Sequence, residues 1–133
     1  MKIHWIWILV VAVLFEAALF AITAVLSLFM TTETILPAVP VMVFVVGIPF
    51  GMWIARKAAA GAVLHGALVG VVATLIYLGL ILGQFGSLTP VIEMYGPVAF
   101  YSANALKILG CIAGAYAAAR RRSDHRLASG SVR

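Results

Sequence analysis

The sequence predicts an all-α integral membrane protein, a bundle of four helices, and three observations lead to this fold class. The chain of 133 residues is 65% hydrophobic and only 10% charged, with a mean hydropathy of +1.16. A soluble domain of this size needs far more charged surface. Four apolar runs approach or exceed the roughly 20 helical residues that cross a bilayer core. The runs lack the period-2 alternation of a membrane β-barrel, and their Ala and Leu content favours helices.

The four predicted spans are joined by short connections. They cover residues 5–29, 39–55, 62–83 and 97–119. The first is broken only by Glu16, and its long apolar core argues against a cleaved signal peptide. The second is short and carries Pro40 in its first turn and Pro49 inside it. The connections contain the Gly and Pro residues that end helices and favour turns. We therefore expect one transmembrane domain over residues 1–119, followed by a polar, mobile basic tail over 120–133.

The basic residues predict the orientation of the chain. Eight of the nine Lys and Arg residues fall on one side of the four-span arrangement, namely Lys2, Arg56, Lys57, Arg120, Arg121, Arg122, Arg126 and Arg133. The connections on the other side carry Glu33 and Glu93 and no basic residue. Because cytoplasmic loops are enriched in Lys and Arg, both termini are expected in the cytoplasm, in the cytoplasmic membrane of a bacterium or archaeon.

The same residues indicate lipid as the partner. They cluster at the ends of apolar runs and do not line one solvated face, which argues against nucleic acid. At an anionic membrane surface each contributes about 1 kcal/mol. The predicted lipid-facing basic cluster consists of Arg56, Lys57, Arg120, Arg121 and Arg122.

Small residues at helical spacing predict close contacts between helices, because missing side chains let backbones approach. The glycines of this predicted seam are Gly47, Gly51, Gly66, Gly70, Gly110 and Gly114. The seam packs either within the bundle or against a second copy or another protein, and the sequence leaves both open. The second span ends in GMWIARK and the fourth in GAYAAARRR. This similarity indicates two hairpins in parallel, related by an axis along the membrane normal.

Two residues of opposite charge lie inside the predicted spans. At 1.5 Å per residue, Glu16 lies roughly 16 Å beyond Trp5 and Lys107 roughly 15 Å beyond Pro97. Both depths are close to the bilayer midplane, where a lone charge costs at least about 2.5 to 3.5 kcal/mol. We predict that Glu16 and Lys107 meet inside the bundle, with a further hydrogen bond from Asn104. In the alternatives, Lys107 snorkels outward, Glu16 is protonated and bonds a neighbouring helix, or either residue faces a second subunit.

The stretch GMWIARKAAAGAVLHGALVG, residues 51–70, resembles a group of small uncharacterised prokaryotic multi-span membrane proteins. Their signature is an A-G-R-K-A turn followed by a helix that opens with H-G-x-x-x-G. The matching residues are Ala55, Arg56, Lys57, Ala58, His65, Gly66 and Gly70. The glycine between Ala55 and Arg56 is missing in this chain. The resemblance implies a four-helix membrane protein and carries over no activity.

The sequence does not predict an enzyme or a cofactor. It contains no nucleophile elbow, P-loop, zincin helix or dinucleotide fingerprint. Apart from Glu16, its acids lie in connections or the tail, so a catalytic carboxylate pair is not expected. Cys111 is the single cysteine, and His65 with His4 supplies too few ligands for a metal.

Two functions of different classes remain. The first is a structural or accessory subunit that stabilises a larger membrane assembly or associates with itself. The second is a small transporter or channel. Its midplane polar path would run through Glu16, Thr23, Ser27, Asn104 and Lys107. The second function predicts a polar path that is open from at least one face, and the first predicts a dry seam.

Overall fold

The structure, a computed structural model, describes residues 3–58 and 60–130, and within these ranges the fold is all-α. The helices are α1 (Trp5–Leu26), α2 (Thr32–Ile35), α3 (Val39–Lys57), α4 (Ala62–Phe85), α5 (Thr89–Tyr95) and α6 (Pro97–Gly130), and a 3-10 turn (Leu36–Ala38) joins α2 to α3. Among the described residues, four segments are long and apolar enough to cross a membrane. They are Trp5–Leu26, Thr32–Lys57, Ala62–Phe85 and Pro97–Asp124. The predicted four-helix fold class is confirmed, and the chain is a multi-pass membrane protein.

Two predicted boundaries differ from the helices by more than two residues. Helix α1 ends at Leu26 and not at residue 29, because the Leu28 and Phe29 amides bond carbonyls three residues back and close turns instead of continuing the helix. The Ser27 hydroxyl also donates to the Ala24 carbonyl at 2.7 Å. Helix α6 continues past residue 119 to Gly130. This segment contains four arginines, one leucine and one alanine, which are good helix formers, so the expected mobile tail is helical as far as it is described. Lys2, Arg133 and the side chain of Arg126 lie outside the described residues.

Glycines with left-handed backbone conformations define both ends of α4. Gly61 precedes the helix with φ of 70°, and Gly86 follows it with φ of 71°. The Gly86 amide donates to the Leu82 carbonyl at 2.9 Å, which closes the last turn. At Gly61 the chain reverses between the basic end of α3 and the start of α4.

The long helices alternate in direction and give the bundle two chemically distinct ends. At one end, here called the basic end, Arg56, Lys57 and residues 120–122 are exposed. At the opposite end, here called the acidic end, Glu33 and Glu93 are exposed on α2 and α5. Helices α3 and α6 run parallel and share the largest interface, while α4 packs against α6 in the antiparallel direction.

Helix α1 lies diagonally across the bundle from α6. It packs mainly against α3 and α4, which also contact each other and therefore separate the backbones of α1 and α6. The largest fully buried side chains lie near the midplane or between it and the basic end; they are Phe15, Ile8, Ile54, His65, Val11, Val69 and Cys111. The best-packed part of the core is therefore the half nearer the basic end.

Candidate functional site

The structure brings Glu16 and Lys107 into contact at the centre of the bundle. The Lys107 ammonium donates to Glu16 Oε1, with Nζ 2.6 Å from the oxygen. Both side chains are about 95% buried. This is the contact that the sequence predicted, within one chain and without snorkelling of Lys107 to a membrane surface. The pair joins the two helices whose backbones lie diagonally apart.

The surroundings of the pair explain why the long Lys107 side chain crosses the bundle. Its Nζ lies 4.6 Å from the centre of the Tyr77 ring, a cation–π distance. Glu16 and the Tyr77 ring therefore approach the ammonium from two other helices. In an apolar medium either charge alone would be costly, and each becomes tolerable when the other neutralises it.

Asn104 does not join the ion pair, and this part of the prediction is wrong. Its Nδ2 donates to the Phe100 carbonyl, 2.9 Å away and one turn earlier on α6. The physical reason is local, since a carbonyl of the same helix lies within reach and satisfies the amide without any tertiary contact. Ser27, which directly follows α1, likewise bonds locally, to the Ala24 carbonyl, and is exposed.

A cavity of about 90 Å³ lies between the ion pair and the acidic end. Polar groups on its wall come from Glu16, Lys107, Asn104, Thr23, Tyr77 and Tyr95, and the apolar part of the wall comes from Leu19, Phe20, Val39, Met42, Val43, Phe100 and Ala103. Of the predicted polar path, all members except Ser27 line this cavity. Burial raises the pKa of the Tyr95 phenol above its ordinary value, so this hydroxyl stays uncharged.

Among the polar residues of the cavity, Tyr77 and Tyr95 were not predicted as members of the polar path. A signal for Tyr77 was available, because it follows Gly70 by seven residues and so falls on the same face of α4. Tyr95 lies at the end of the short helix α5, before Gly96. No periodic pattern in a seven-residue helix indicates which of its side chains reaches the core.

The glycine seam closes within the chain. A Cβ added to Gly51 would overlap the Cys111 carbonyl, and one added to Gly114 would overlap the Ile48 carbonyl. When GMWIARK is aligned with GAYAAARRR, Gly51 corresponds to Gly114. Three residues earlier in the same alignment, Ile48 corresponds to Cys111. Each glycine therefore meets the carbonyl of the residue that lies three positions before the other glycine. The parallel packing of α3 and α6 thus has the local two-fold relation that the sequence similarity indicated.

The other seam glycines also face helices of the same chain. A Cβ on Gly66 would lie 2.6 Å from Ala115 Cβ, and one on Gly70 would lie 2.6 Å from Ile108 Cα. Gly47 and Gly110 likewise meet backbone atoms across the α3–α6 interface. Of the two alternatives for the seam, packing within the bundle is the one that the structure contains.

At the basic end, His65 joins the starts of α1 and α4. Its side chain is fully buried, and Nδ1 lies 2.9 Å from the Gly61 carbonyl. The His4 backbone amide donates to Nε2 at 3.4 Å. One ring nitrogen thus donates and the other accepts, as in a neutral imidazole. Within the part of the chain that the structure describes, no three His, Cys, Asp or Glu residues are grouped to hold a metal ion.

The predicted basic cluster surrounds this end of the bundle. Its members Arg56, Lys57, Arg120, Arg121 and Arg122 are all exposed. Two of them also hold neighbouring segments in place. Arg122 donates to the Ala58 carbonyl at 3.1 Å, and Lys57 Nζ lies 4.7 Å from the centre of the Trp7 ring.

No protein-family model matches the chain, and neither the curated proteins nor the solved structures contain a significant match. The resemblance of residues 51–70 to small prokaryotic membrane proteins therefore stays a prediction.

Proposed function

We propose that the protein is a structural or accessory subunit, a compact four-helix unit that stabilises a larger membrane assembly or associates with itself. The observation that supports this most is the closure of the half nearer the basic end. There the seam glycines bring backbones into contact, and the large side chains are fully buried. Among the side chains described as buried in this half, only that of His65 is polar. Nearly all described residues outside the short connections lie in the four spans.

The accessory function is tested by the state of the protein in lipid. The full chain, labelled with one fluorophore, is reconstituted at decreasing protein-to-lipid ratios, and subunits are counted by single-molecule photobleaching. In parallel, the protein is purified from its native membrane and the stoichiometry of accompanying proteins is measured. A defined oligomer that survives dilution, or a partner at fixed stoichiometry, supports the function. Monomers without a stoichiometric partner contradict it.

We also propose that both termini face the cytoplasm and that the basic cluster meets anionic headgroups there. This proposal rests on the separation of basic and acidic residues between the two ends. Single cysteines at position 57, 122, 33 or 93 in a Cys111→Ala background are exposed to an impermeant thiol reagent in whole cells. Labelling from outside is expected only at 33 and 93. Labelling at 57 or 122 alone would invert the orientation.

A second function, transport of a small solute, is favoured by one observation. The cavity reaches from the acidic end to the ion pair, which would be the outward-open half of a transport path. Transport would require the packed half to open in turn. Solute flux into proteoliposomes that exceeds protein-free controls, and that Lys107→Gln abolishes, would support this function over the accessory one.

A further inference from the structure

The cavity above the ion pair has features that an accessory role does not use. Its floor carries a carboxylate and an ammonium group, and its walls include Leu19, Val43 and Phe100. Apolar cavities stay dry, whereas a cavity with several polar groups holds water or a ligand that replaces it. The floor therefore favours an occupant that forms hydrogen bonds.

The ion pair leaves hydrogen-bonding capacity on both partners. An ammonium group has three donors. One of those on Lys107 goes to Glu16 Oε1, and the Tyr77 ring lies 4.6 Å from Nζ on another side. A carboxylate offers about four acceptor positions, of which this contact uses one. A donor and an acceptor are thus available side by side on the floor.

The charges favour an uncharged occupant. Glu16 and Lys107 together carry no net charge, so an ionic ligand would bring an uncompensated charge into the membrane core. On insertion scales that cost corresponds to about a hundredfold in affinity. The acidic end also disfavours anions, because residues 27–38 and 86–96 contain Glu33 and Glu93 but no Lys or Arg.

Because the cavity is partly open, its volume sets the size of an occupant that is held wholly inside it. A cavity of about 150 Å³ holds benzene, which has six heavy atoms. In proportion, the volume of about 90 Å³ suits a molecule of roughly four heavy atoms. Such a ligand binds weakly, with a dissociation constant in roughly the millimolar range.

We propose that this cavity is a binding site for a small uncharged molecule of the carboxamide type, whose N–H and C=O groups pair with Glu16 and Lys107. The N–H group donates to the carboxylate and the carbonyl oxygen accepts from the ammonium. Asn104 and the uncharged Tyr95 hydroxyl, which also line the cavity, offer further polar contacts.

Three probes of nearly equal shape separate charge from size. Acetamide, acetate and acetamidinium each have four heavy atoms and carry no charge, one negative charge and one positive charge. Binding of each to the full chain in nanodiscs is measured by saturation transfer to its methyl protons. Acetamide is expected to bind at least tenfold more tightly than either ion. Tighter binding of an ion, or no saturable binding of acetamide, would overturn the proposal.

Replacing two alanines of α6 by leucine, one inside the cavity and one outside it, locates the site. Ala103 lines the cavity, whereas Ala105 on the same helix is exposed. Ala103→Leu fills the cavity and should weaken acetamide binding at least tenfold, while Ala105→Leu should leave it unchanged. Val43→Leu fills the cavity from α3 and gives the same test if Ala103→Leu does not fold. Equal binding by filled and control variants would place the acetamide elsewhere and overturn the assignment.

This site is independent of the accessory function. Failure of acetamide to bind would leave the outcome of the subunit-counting experiment unaffected. Conversely, a monomeric protein that binds acetamide would keep the site and lose the accessory function.

Discussion

The two halves of the bundle, on either side of the Glu16–Lys107 pair, are packed in different ways. Toward the basic end, Ile8, Val11 and Ile54 have no exposed surface, and backbones meet at glycines. Toward the acidic end, the buried apolar side chains keep between 3% and 8% of their surface exposed, and the cavity separates α1 from α6. The ion pair stands at the boundary between these halves.

This difference shows how a membrane protein can hold a charged pair without a long polar path. The half with glycine contacts gives dense packing, which supplies most of the association energy between helices in lipid. The half with the cavity lets long side chains from α1 and α6 reach each other. Stability and polar chemistry are thus placed in different halves of one small bundle.

The largest expected effect comes from breaking the ion pair. Glu16→Lys and Lys107→Glu each leave two like charges buried together, and each should lower the free energy of unfolding by about 3 to 5 kcal/mol. The double exchange should recover part of that loss. Reversible unfolding in mixed micelles gives the three values. A double variant no more stable than the worse single variant would show that the two charges are not coupled.

The sequence predicted this pair because charge, depth and the cost of burial are readable from spacing alone. The same holds for the four spans and the seam glycines, which follow from apolar length and from small residues at helical intervals. The hydrogen-bond partner of the Asn104 side chain was not predictable, because a backbone carbonyl of its own helix competes with any partner on another helix.

The cavity could not be read from the sequence. It depends on the distance between α1 and α6, which is set by the contacts that α3 and α4 make with both. The helical extension beyond residue 119 was not predicted for another reason, because a polar, charged segment at a chain end is also typical of a mobile tail. The intrinsic helix preference of its four arginines, with one leucine and one alanine, favours the helix instead.

The next largest effect concerns the glycine contacts of the packed half. Replacing an ordinary helical Gly by Ala stabilises a helix by roughly 0.5 to 1 kcal/mol. At Gly51 the sign should reverse, because the added Cβ meets the Cys111 backbone, and a loss of about 1 to 3 kcal/mol is expected. Gly70→Leu should be at least as damaging.

Gly83→Ala is the matched control, since a Cβ there has no neighbour within 4 Å. It should keep or slightly raise the free energy of unfolding in the same micelle assay. If Gly51→Ala and Gly83→Ala had equal stabilities, the close approach of α3 and α6 would be wrong.

A moderate effect is expected at the basic end of the packed half. His65→Ala leaves the Gly61 carbonyl and the His4 amide without their side-chain partner, which should cost about 1 to 3 kcal/mol. His4→Ala keeps the backbone amide and should cost less. Equal losses in both variants would assign the effect to contact between the two rings, whose centres lie 5.9 Å apart.

The smallest expected effect comes from a comparison of two lysines, each of which lies over an aromatic ring at nearly the same distance. Lys57 lies 4.7 Å from the Trp7 ring at the exposed basic end, and Lys107 lies 4.6 Å from the Tyr77 ring at the midplane. Lys57 is exposed, so its ring contact should contribute about 0.5 to 1 kcal/mol. A double-mutant cycle with Lys57→Gln and Trp7→Leu measures that coupling, and Lys107→Gln should lose several times more. If the two lysine variants were equally stable, the ring contacts would outweigh the depth of the charge, and the division of the bundle into two halves would have no energetic meaning.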